Sequence, residues 1–538
     1  MKSFVVYKPS PDIRGDSPPE QETLFLVRRM TVREPRLAGT KGIMRLNKFH
    51  LFSFFKICIL EGMKNIEIPE ILRKVNKIFT QNGYEAFLVG GAVRDLILGK
   101  PASDYDIATN AKPEDVIRIF NKVIPTGIAH GTVTILFMGQ SIEATTYRIE
   151  KDYSDGRHPD KVEYASKIEE DLSRRDFTMN AIAASLADGK IVDPFGGQID
   201  IENKVIRTVG NPLERFSEDG LRPVRALRFA AQLGFDIEEE TLKAIPATNH
   251  ITKNISIERF RDEFVKALKS IKPSIAINLM EKTGILEMFL PELLSCRNVI
   301  QKDIRDFHTF DVLDHLIYAL DGVVLASKNQ GSVELRLATL FHDIGKPDVK
   351  KVEERLVLKD RKEVLAQINT FHSHEFPSAK IAKNILTRLR FPNNTIKYVC
   401  HLIENHMFHY ESTWQESAIR RFIAKHNTQE LPFATVCEDL FFLRQADAFG
   451  KDGDENVFTE GKWIENLSEF KGRIDKELEK QVAFSLKDLA VSGRDLIEVG
   501  FPAGKQMGNV LNQLLEKVLE NPEINTKEVL LDLAKEMF

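Results

Sequence analysis

Two aspartates two positions apart, Asp104 and Asp106, follow a double glycine, Gly90-Gly91, that separates a short apolar segment from a helical one. Residues i and i+2 of a strand project from the same face, so the two carboxylates can bind one hard cation together. Two glycines between a strand and a helix let backbone N–H groups approach a phosphate closely. The order of these elements predicts a strand, turn, helix and strand that bring acidic ligands beside a phosphate-binding turn.

The residues around this pattern add further polar groups. Arg94 lies in the first turn of the helix after the glycines and can donate charge-assisted hydrogen bonds to phosphates. Segments 131–137 and 141–148 are predicted to form a hairpin, with Glu143 in its second strand as a candidate third carboxylate. Taken singly, each carboxylate is more often an ordinary surface charge. The ordered set predicts a two-metal phosphoryl-transfer site, in which Mg²⁺ activates an attacking hydroxyl and holds a triphosphate.

Composition limits the class of protein and its partners. The 538 residues are 43% hydrophobic and 29% charged, which is typical of a soluble globular chain of three or four domains. Lys and Arg number 75 against 79 Asp and Glu, so any nucleic-acid binding depends on a local patch and not on bulk charge. The four cysteines are far apart and form no CxxC pair, which predicts buried thiols in a reducing, cytoplasmic compartment.

Residues 1–62 differ from the rest of the chain because they mix Pro and Arg with one apolar run, residues 49–60. That run is shorter than the roughly 20 apolar residues that span a bilayer, and Lys56 interrupts it. No small-x-small cleavage site follows it, which argues against a signal peptide. We predict an N-terminal extension that is disordered or lies outside the working protein, with translation starting at Met63 and no membrane partner.

Seven segments identify a family resemblance. They are LVGGAVRD (88–95), SDYDIAT (103–109), IEATTYR (142–148), DLSRRDFTMNA (171–181), DPFGG (193–197), EDGLR (218–222) with RALRFAAQLGF (225–235), and ISIER (255–259). In this order they resemble the class II tRNA nucleotidyltransferases (CCA-adding enzymes) and the bacterial poly(A) polymerases, both of the polymerase-beta-like nucleotidyltransferase superfamily. The resemblance covers about 200 residues, and it implies an α+β fold: a head with a small mixed sheet and helices, then an all-α neck, body and tail.

The resemblance also implies roles for individual residues. Asp104, Asp106 and Glu143 are the implied catalytic carboxylates, with Asp104 and Asp106 binding Mg²⁺. The segment containing Arg174 and Asp176 is implied to contact the sugar of the incoming nucleotide; an ion-paired helix start is the structural alternative. The implied nucleotide-binding set is Gly90, Gly91, Arg94, Asp95, Arg174, Arg175, Asp176, Asn180, Asp219, Arg222, Arg225 and Arg228.

Asp219 and Arg222 resemble the family's protein template for base selection. Being three residues apart, they are predicted to share one face of a helix. A carboxylate accepts from an exocyclic amino group and a guanidinium donates to the adjacent ring nitrogen, which suits cytosine and adenine. An ordinary surface ion pair is the alternative, and Pro223 is expected to kink or restart the helix. Residues 149–170 are either a mobile loop involved in the change from C to A addition or a solvated connector.

A second constellation lies downstream. Asp314-His315 precedes His342-Asp343 by 27 residues, and further His and Asp residues follow in predicted helices. This pattern resembles an HD-type phosphohydrolase domain that binds a divalent transition metal; buried core histidines, or a domain kept as a scaffold, are the alternatives. The spacing to His342 favours His315 over His308 as the first metal ligand. The implied ligands are His315, His342, Asp343 and Asp447, with His374 and His406 as candidates for a second metal.

These features predict a division of the chain. The predicted parts are the extension 1–62, the transferase head 63–185, the neck 186–270 with the nucleotide-selecting helix, the helical body 271–483 with the HD domain at about 308–450, and a helical tail 484–538. The insert 348–368 is expected to be a solvated helix or loop.

The predicted function is template-independent addition of C and A to the 3′ end of tRNA, using CTP and ATP with Mg²⁺ and releasing pyrophosphate. A poly(A) polymerase and a CC-only or A-only enzyme remain alternatives from the same family. The tail ends LLDLAKEMF and is not basic, which favours the tRNA enzyme over a generic RNA polymerase. An HD phosphohydrolase with an inactive head and a pure RNA-binding protein are the alternatives of other classes. The sequence leaves the oligomeric state open.

Overall fold

The computed structural model describes residues 65–537, apart from 103, 129–130, 152–160, 305–308, 360–361, 428–431, 481 and 503. The predicted extension of residues 1–62 and His308 therefore lie outside the described residues. The elements of the head are α1 (Glu70–Gln81), β1 (Ala86–Val89), α2 (Gly91–Ile97), β2 (Tyr105–Thr109), α3 (Pro113–Ile119), β3 (Val123–Gly127), β4 (Thr132–Phe137), β5 (Gln140–Thr146), β6 (Arg148–Lys151), β7 (Lys161–Tyr164), α4 (Ile168–Ser173), β8 (Ala183–Ser185), β9 (Ile191–Val192), α5 (Gly197–Glu202) and β10 (Val205–Ile206).

Seven of these strands form one mixed sheet in the order β3-β4-β5-β2-β1-β8-β9. Strands β2 and β5 run parallel, and β1 pairs antiparallel with both β2 and β8. The predicted hairpin is confirmed as β4–β5, in which Phe137 pairs with Gln140 around Met138 and Gly139. Both turn residues have positive φ, 49° and 82°, as a two-residue turn matched to strand twist requires. The predicted domain boundary at residue 185 falls between strands β8 and β9 of this sheet.

Helices follow the head for most of the remaining length, as apolar spacing of three and four residues predicts. The elements are α6 (Pro212–Glu218), α7 (Leu221–Leu233), β11 (Asp236–Ile237), α8 (Glu239–Ala247), α9 (Asn249–Thr252), α10 (Ile257–Leu268), α11 (Ser274–Thr283), α12 (Ile285–Phe289), α13 (Pro291–Leu294), α14 (Val312–Ala326), α15 (Val333–Phe341), α16 (Lys346–Val349), β12 (Lys351–Lys359), β13 (Lys362–Thr370), α17 (Glu375–Arg388), α18 (Asn393–Asn405), α19 (Glu416–His426), α20 (Phe433–Phe449), α21 (Lys462–Glu479), α22 (Gly493–Glu498), α23 (Lys505–Glu520) and α24 (Lys527–Glu536).

The prediction that the insert 348–368 is a solvated helix or loop is wrong. The insert forms most of a β-hairpin, β12–β13, whose strands pair antiparallel from Lys351 with Thr370 to Lys359 with Lys362. Charged and apolar residues do not alternate along β12 (KVEERLVLK), so its sequence lacks the period of two that predicts a strand, and the pairing with β13 decides its conformation. In the described part of the body, this hairpin is the one pair of strands among the helices.

The described cysteines agree with the predicted thiols. Cys296, Cys400 and Cys437 are free; Cys296 and Cys437 are buried, and Cys400 is partly buried. Burial raises the pKa of Cys296 and of Cys437 to about 12, so these thiols stay protonated. Among the described residues, no helix combines the length and the apolar character needed to cross a bilayer.

One buried carboxyl in the helical body makes stability depend on pH. Burial raises the pKa of Asp439 to about 6, while the hydroxyl of Tyr398 donates to its Oδ2 at 2.6 Å. The folded protein therefore holds this proton more tightly than the unfolded chain, and stability falls as pH rises from about 4 to 6. We expect Asp439→Asn to raise the free energy of unfolding by about 3 kcal/mol at pH 7.5 and by about half of that at pH 5.

Denaturant unfolding at the two pH values measures this gain. Asp475→Asn, on an exposed position of α21, is the matched control, and its effect should be small and equal at both pH values. A gain from Asp439→Asn that does not change with pH would contradict the assignment.

Candidate active sites

Asp106 and Glu143 lie side by side because the parallel strands β2 and β5 pair at these two positions. Their strand neighbours Ile107 and Ile142 are buried in the core on the other face of the sheet. Asp104 is exposed two residues before Asp106, and its charge acts on that carboxyl. The structure therefore brings the three predicted catalytic carboxylates near one another at the central strands of the head sheet.

The charges of these carboxylates fit a divalent cation. Desolvation, together with repulsion from Glu143, raises the pKa of Asp106 to about 6, and Arg175 opposes the shift. A hard cation with oxygen ligands would relieve the repulsion among the carboxylates and favour the ionised form of Asp106. The donor set of Asp104, Asp106 and Glu143 is the one that Mg²⁺ prefers in proteins.

The double-glycine turn lies against the carboxylates. Gly90 has φ of +70°, a backbone conformation that favours glycine, and ends β1 just before α2. A Cβ at this position would lie 3.1 Å from Nη1 of Arg175 and 3.9 Å from Oδ2 of Asp106. Glycine therefore leaves room for a guanidinium and a carboxylate to meet at the turn. Arg175 therefore lies directly at this turn.

Arg94, which was predicted to donate hydrogen bonds to phosphates, is buried and bonded to other side chains. It is 5% exposed, and its Nη1 donates to Oδ1 of Asn180 at 2.9 Å. Its Nε and Nη2 contact Oδ1 of Asp95 at 2.9 and 2.8 Å. Arg94 thus connects the glycine turn to the segment that contains Asn180.

That connection continues into the neck. Nδ2 of Asn180 donates to Oδ1 of Asp176 at 3.1 Å, and Nε of Arg225 donates to its Oδ2 at 2.8 Å. Although burial opposes ionisation, Arg225 lowers the pKa of Asp176 to about 2. Arg228, one turn further along α7, donates to Oε2 of Glu263 at 2.8 Å. These bonds orient the predicted sugar-contacting segment relative to α7.

Arg174 and Arg175 share a buried partner that sequence reasoning did not assign. Asp171 is 1% exposed and lies 2.7 Å from Nη2 of Arg174 and 3.3 Å from Nη2 of Arg175. The signal was present in the sequence, since an acid precedes the two arginines by three and four residues on a helix. Asp171 holds both guanidinium groups at the base of the site.

The prediction that Asp219 and Arg222 share one face of a helix is wrong. Asp219 follows the end of α6 in an extended conformation, with φ of −143°, and α7 begins at Leu221. Pro223 is the third residue of α7, where no intrahelical N–H bond is lost, so the helix restarts here and does not kink.

Other residues hold the two template candidates. Nη2 of Arg259 donates to Oδ2 of Asp219 at 2.8 Å. Nη1 of Arg222 pairs with Glu218 and donates to the carbonyl of Arg215 at 2.7 Å. Sequence reasoning quoted Glu218 and Arg259 within the family segments but gave neither a role. Their contacts fix the positions of the groups expected to read the base.

The second candidate site lies in the helical body and is more deeply buried. It contains one residue in α14 (His315), two after α15 (His342 and Asp343), one before α17 (His374), one after α18 (His406) and one in α20 (Asp447). Their possible ligand atoms form two groups within 4.8 Å, one of His315, His342, Asp343 and Asp447 and the other of Asp343, His374 and His406. Asp343 belongs to both groups, and every predicted HD ligand is in one of them.

The imidazoles face one another in pairs. Nε2 of His315 lies 3.1 Å from Nε2 of His342, and Nε2 of His374 lies 3.2 Å from Nε2 of His406. Nδ1 of His342 and Nδ1 of His374 each lie 2.8 Å from a backbone carbonyl, and Nδ1 of His406 lies 2.7 Å from one. A carbonyl can only accept, so the Nδ1–H tautomer is fixed and a lone pair remains on each Nε2.

This arrangement fits metal ions. The lone pairs on Nε2 of His374 and Nε2 of His406 face each other, and they repel unless a cation lies between them. Metal–nitrogen bonds of about 2.0–2.1 Å place neighbouring ligand nitrogens roughly 3 Å apart, and the observed separations are 3.1 and 3.2 Å. The carbonyl partners of Nδ1 are the contacts that orient metal-binding imidazoles in proteins.

The positive charge of Lys346 partly balances the negative charge of Asp343, the carboxylate common to both ligand groups. Nζ of Lys346 lies 2.5 Å from Oδ2 of Asp343 and donates to Oε1 of Gln301 at 2.7 Å. Burial opposes ionisation of Asp343, but His342 and Lys346 hold its pKa well below the usual range. Sequence reasoning quoted Lys346 in the LFHDIGK segment without a role and did not consider Gln301.

Comparison with known proteins agrees with this division of sites. Family models match as a poly(A) polymerase head domain over residues 86–207, a polymerase RNA- and SrmB-binding region over 234–296, an HD domain over 312–449 and a tRNA nucleotidyltransferase domain 2 over 459–534. The CCA-adding enzyme of Ligilactobacillus salivarius (strain UCC118) is 33% identical over 478 residues, which cover 87% of this chain and 98% of that protein. The chain belongs to the CCA-adding enzyme family.

Two further comparisons support the family. The CCA-adding enzyme of Enterococcus faecalis (strain ATCC 700802 / V583) is 32% identical over 471 residues, or 87% of this chain and 95% of that protein. The crystal structure of the Bacillus stearothermophilus CCA-adding enzyme in complex with CTP matches with a TM-score of 0.62 at 28% identity, covering 87% of this chain and 97% of that chain. The resemblance, the α+β fold and the HD domain are therefore confirmed.

Proposed function

We propose that this chain adds C and A nucleotides to the 3′ end of tRNA without a nucleic-acid template, using CTP and ATP. The observation that carries the proposal is the pair of Asp106 and Glu143 on adjacent parallel strands, beside the Gly90 turn and Arg175. The pair occurs in a chain of which 87% aligns with a CCA-adding enzyme. A relative of similar fold binds CTP, which suits the proposed substrate.

The reaction joins the RNA 3′-hydroxyl to the α-phosphate of the nucleotide. The P–O bond to the β-phosphate breaks, pyrophosphate leaves, and the hydroxyl loses its proton. Asp104, Asp106 and Glu143 would hold Mg²⁺, which supplies activation of the hydroxyl and charge neutralisation of the phosphates. Arg175 donates to the same phosphates, and Asp176 and Asn180 orient the ribose of the incoming nucleotide.

Base selection follows from the chemistry of Asp219 and Arg222. The carboxylate accepts from the exocyclic amino group of cytosine or adenine, and the guanidinium donates to the adjacent ring nitrogen. Guanine and uracil present an N–H where Arg222 needs an acceptor. The contacts of Arg259 with Asp219 and of Glu218 with Arg222 support a fixed orientation of the two side chains, which need not share a helix face to read one base.

Acceptor-specific extension tests this function. Purified protein is incubated with tRNAs that end before CCA, after C and after CC, with CTP alone, ATP alone and both. We expect complete CCA on the shortest acceptor and one added A on the acceptor ending in CC. Long A tracts with indifference to CTP would show a poly(A) polymerase, and extension that stops after CC or needs CC would show a partial enzyme.

A second activity is favoured by the six-residue cluster in the body. We infer that the HD site hydrolyses a 2′,3′-cyclic phosphate or a phosphomonoester at RNA 3′ ends with a divalent transition metal bound by the two ligand groups. In cyclic-phosphate hydrolysis a water oxygen bonds to phosphorus, one P–O bond to the ribose breaks, and the freed oxygen takes a proton. We place both activities in the cytoplasm, in line with the free thiols.

A further inference from the structure

A cleft of about 500 Å³ opens beside the HD site, between the start of α17, the end of α18, and α19. Aromatic side chains line much of it, and two cations on α19 lie at its rim. Glu375 and Asn405 of the cleft directly adjoin His374 and His406 in sequence, two members of the second ligand group. Oε2 of Glu375 lies 3.9 Å from Nδ1 of His374. The cleft therefore begins within one residue of the candidate metal ligands.

The aromatic groups offer surfaces for stacking. Phe376, in the first turn of α17, is 60% exposed, and Met407 is 49% exposed. Trp414 is partly buried, with its ring 5.7 Å from those of Tyr410 and Phe470, so its orientation is fixed. Flat, partly exposed rings in a cleft bind nucleobases by stacking.

The polar groups complement a nucleotide. Arg421 and Lys425 are four residues apart on α19 and therefore lie on one face, where their charges attract phosphate. Nε of Arg421 donates to Oε2 of Glu516 at 3.0 Å, which leaves its other N–H groups to interact with an anion. At the inner wall, His426 is 1% exposed and its Nδ1 faces Nε2 of His401 at 2.9 Å.

We propose that this cleft binds the base and ribose of a nucleotide that carries a 2′- or 3′-phosphate and presents that phosphate to the neighbouring HD site. The ligand is the last nucleotide of an RNA 3′ end or a free mononucleotide of the same chemistry. The binding step stands by itself, whereas its role in hydrolysis rests on the phosphohydrolase activity proposed above. A substrate recognised in this way is chosen by its base and not by its phosphate alone.

Tryptophan fluorescence tests the binding step. The chain has two tryptophans, so the full-length Trp463→Phe protein keeps Trp414 in the cleft as its single reporter. Titration with adenosine 3′-monophosphate in EDTA, which prevents hydrolysis, should quench this fluorescence to saturation. Ribose 5-phosphate, which lacks a base, should not. Equal quenching by both compounds, or none by either, would overturn the proposal.

Matched variants in the same background locate the ligand. Phe376→Ala and Arg421→Ala should each weaken binding of the nucleotide about tenfold or more. Leu365→Ala, an equally exposed apolar residue on β13, and Lys253→Ala, an exposed cation after α9, should leave it unchanged. Unchanged tRNA extension shows that each variant is folded. If both cleft variants bind as tightly as their parent, the cleft is not the site.

Steady-state hydrolysis separates the two proposals and the two ligand sources. Phe376→Ala should raise KM for adenosine 2′,3′-cyclic phosphate without changing kcat, and should leave hydrolysis of glycerol phosphate unchanged. Hydrolysis by the parent with no effect of Phe376→Ala would refute the cleft and leave the hydrolase standing. Quenching without hydrolysis would refute the hydrolase and leave the cleft standing. A raised KM also for tRNA ending in a 2′,3′-cyclic phosphate identifies the RNA end as ligand; an effect confined to the mononucleotide identifies the free nucleotide.

Discussion

Asp106→Asn should abolish nucleotide addition to tRNA, with kcat reduced on the order of 10³-fold or more, a loss of about 4 kcal/mol of transition-state stabilisation. The asparagine keeps the shape of the side chain and removes one of the two carboxylates that lie next to each other on β2 and β5 and are proposed to bind Mg²⁺. Asp104→Ala should have a comparable effect because it removes a neighbouring carboxylate. Single-nucleotide extension of a tRNA ending in CC with ATP measures the loss.

Two comparisons make this result specific. Asp236→Asn, an exposed aspartate of β11, is the matched control and should extend tRNA at the normal rate. Hydrolysis at the HD site should persist in Asp106→Asn, since the two sites share no ligand. Extension within tenfold of normal in Asp106→Asn would show that the head carboxylates are not the catalytic ones.

Asp343→Asn should remove metal from the body of the protein and eliminate phosphohydrolase activity, to below about 1% of normal. Asp343 is the member common to both ligand groups, so its charge is needed for either metal. The change also leaves the buried ammonium of Lys346 without its closest anion, which lies 2.5 Å away. Loss of one partner of a buried ion pair typically costs about 3–5 kcal/mol, and we expect a lower melting temperature as well.

Metal content gives a readout that does not depend on activity. Elemental analysis of purified protein should find a divalent transition metal in the parent and in Asp475→Asn, and little in Asp343→Asn or His342→Ala. A chelator should lower the melting temperature of the parent but not of Asp343→Asn, because a ligand stabilises only the protein that binds it. Full metal content in Asp343→Asn would refute the assignment, and tRNA extension should remain in every case.

Hydrogen bonds connect the glycine turn of the head to helix α7 of the neck, so the geometry of the head site depends on the position of that helix. Arg94, Asn180, Asp176 and Arg225 form a continuous series of hydrogen bonds from the glycine turn to α7. The same helix carries Arg222 in its first turn. The groups proposed to hold the sugar and those proposed to read the base are therefore positioned by one set of contacts, and a displaced α7 would affect both.

The local order of residues was sufficient to predict which carboxylates of the head lie close together. Asp104 and Asp106 are two residues apart, and a strand period of two already places them on one face. The hairpin that carries Glu143 was predictable for the same reason, since its turn includes a glycine at positive φ. The HD doublet was also visible, because His342 and Asp343 are adjacent and directly follow an apolar segment.

The sequence by itself determined which functional groups this protein has and the elements that carry most of them. The tertiary structure decided which groups meet. It separated Asp219 from the helix of Arg222 and supplied Arg259 as its partner from 40 residues away. It converted the charged insert into a hairpin, and it oriented three imidazoles through backbone carbonyls. Local patterns follow from backbone periodicity, whereas contacts between distant residues depend on how elements pack, and periodicity holds no information about that packing.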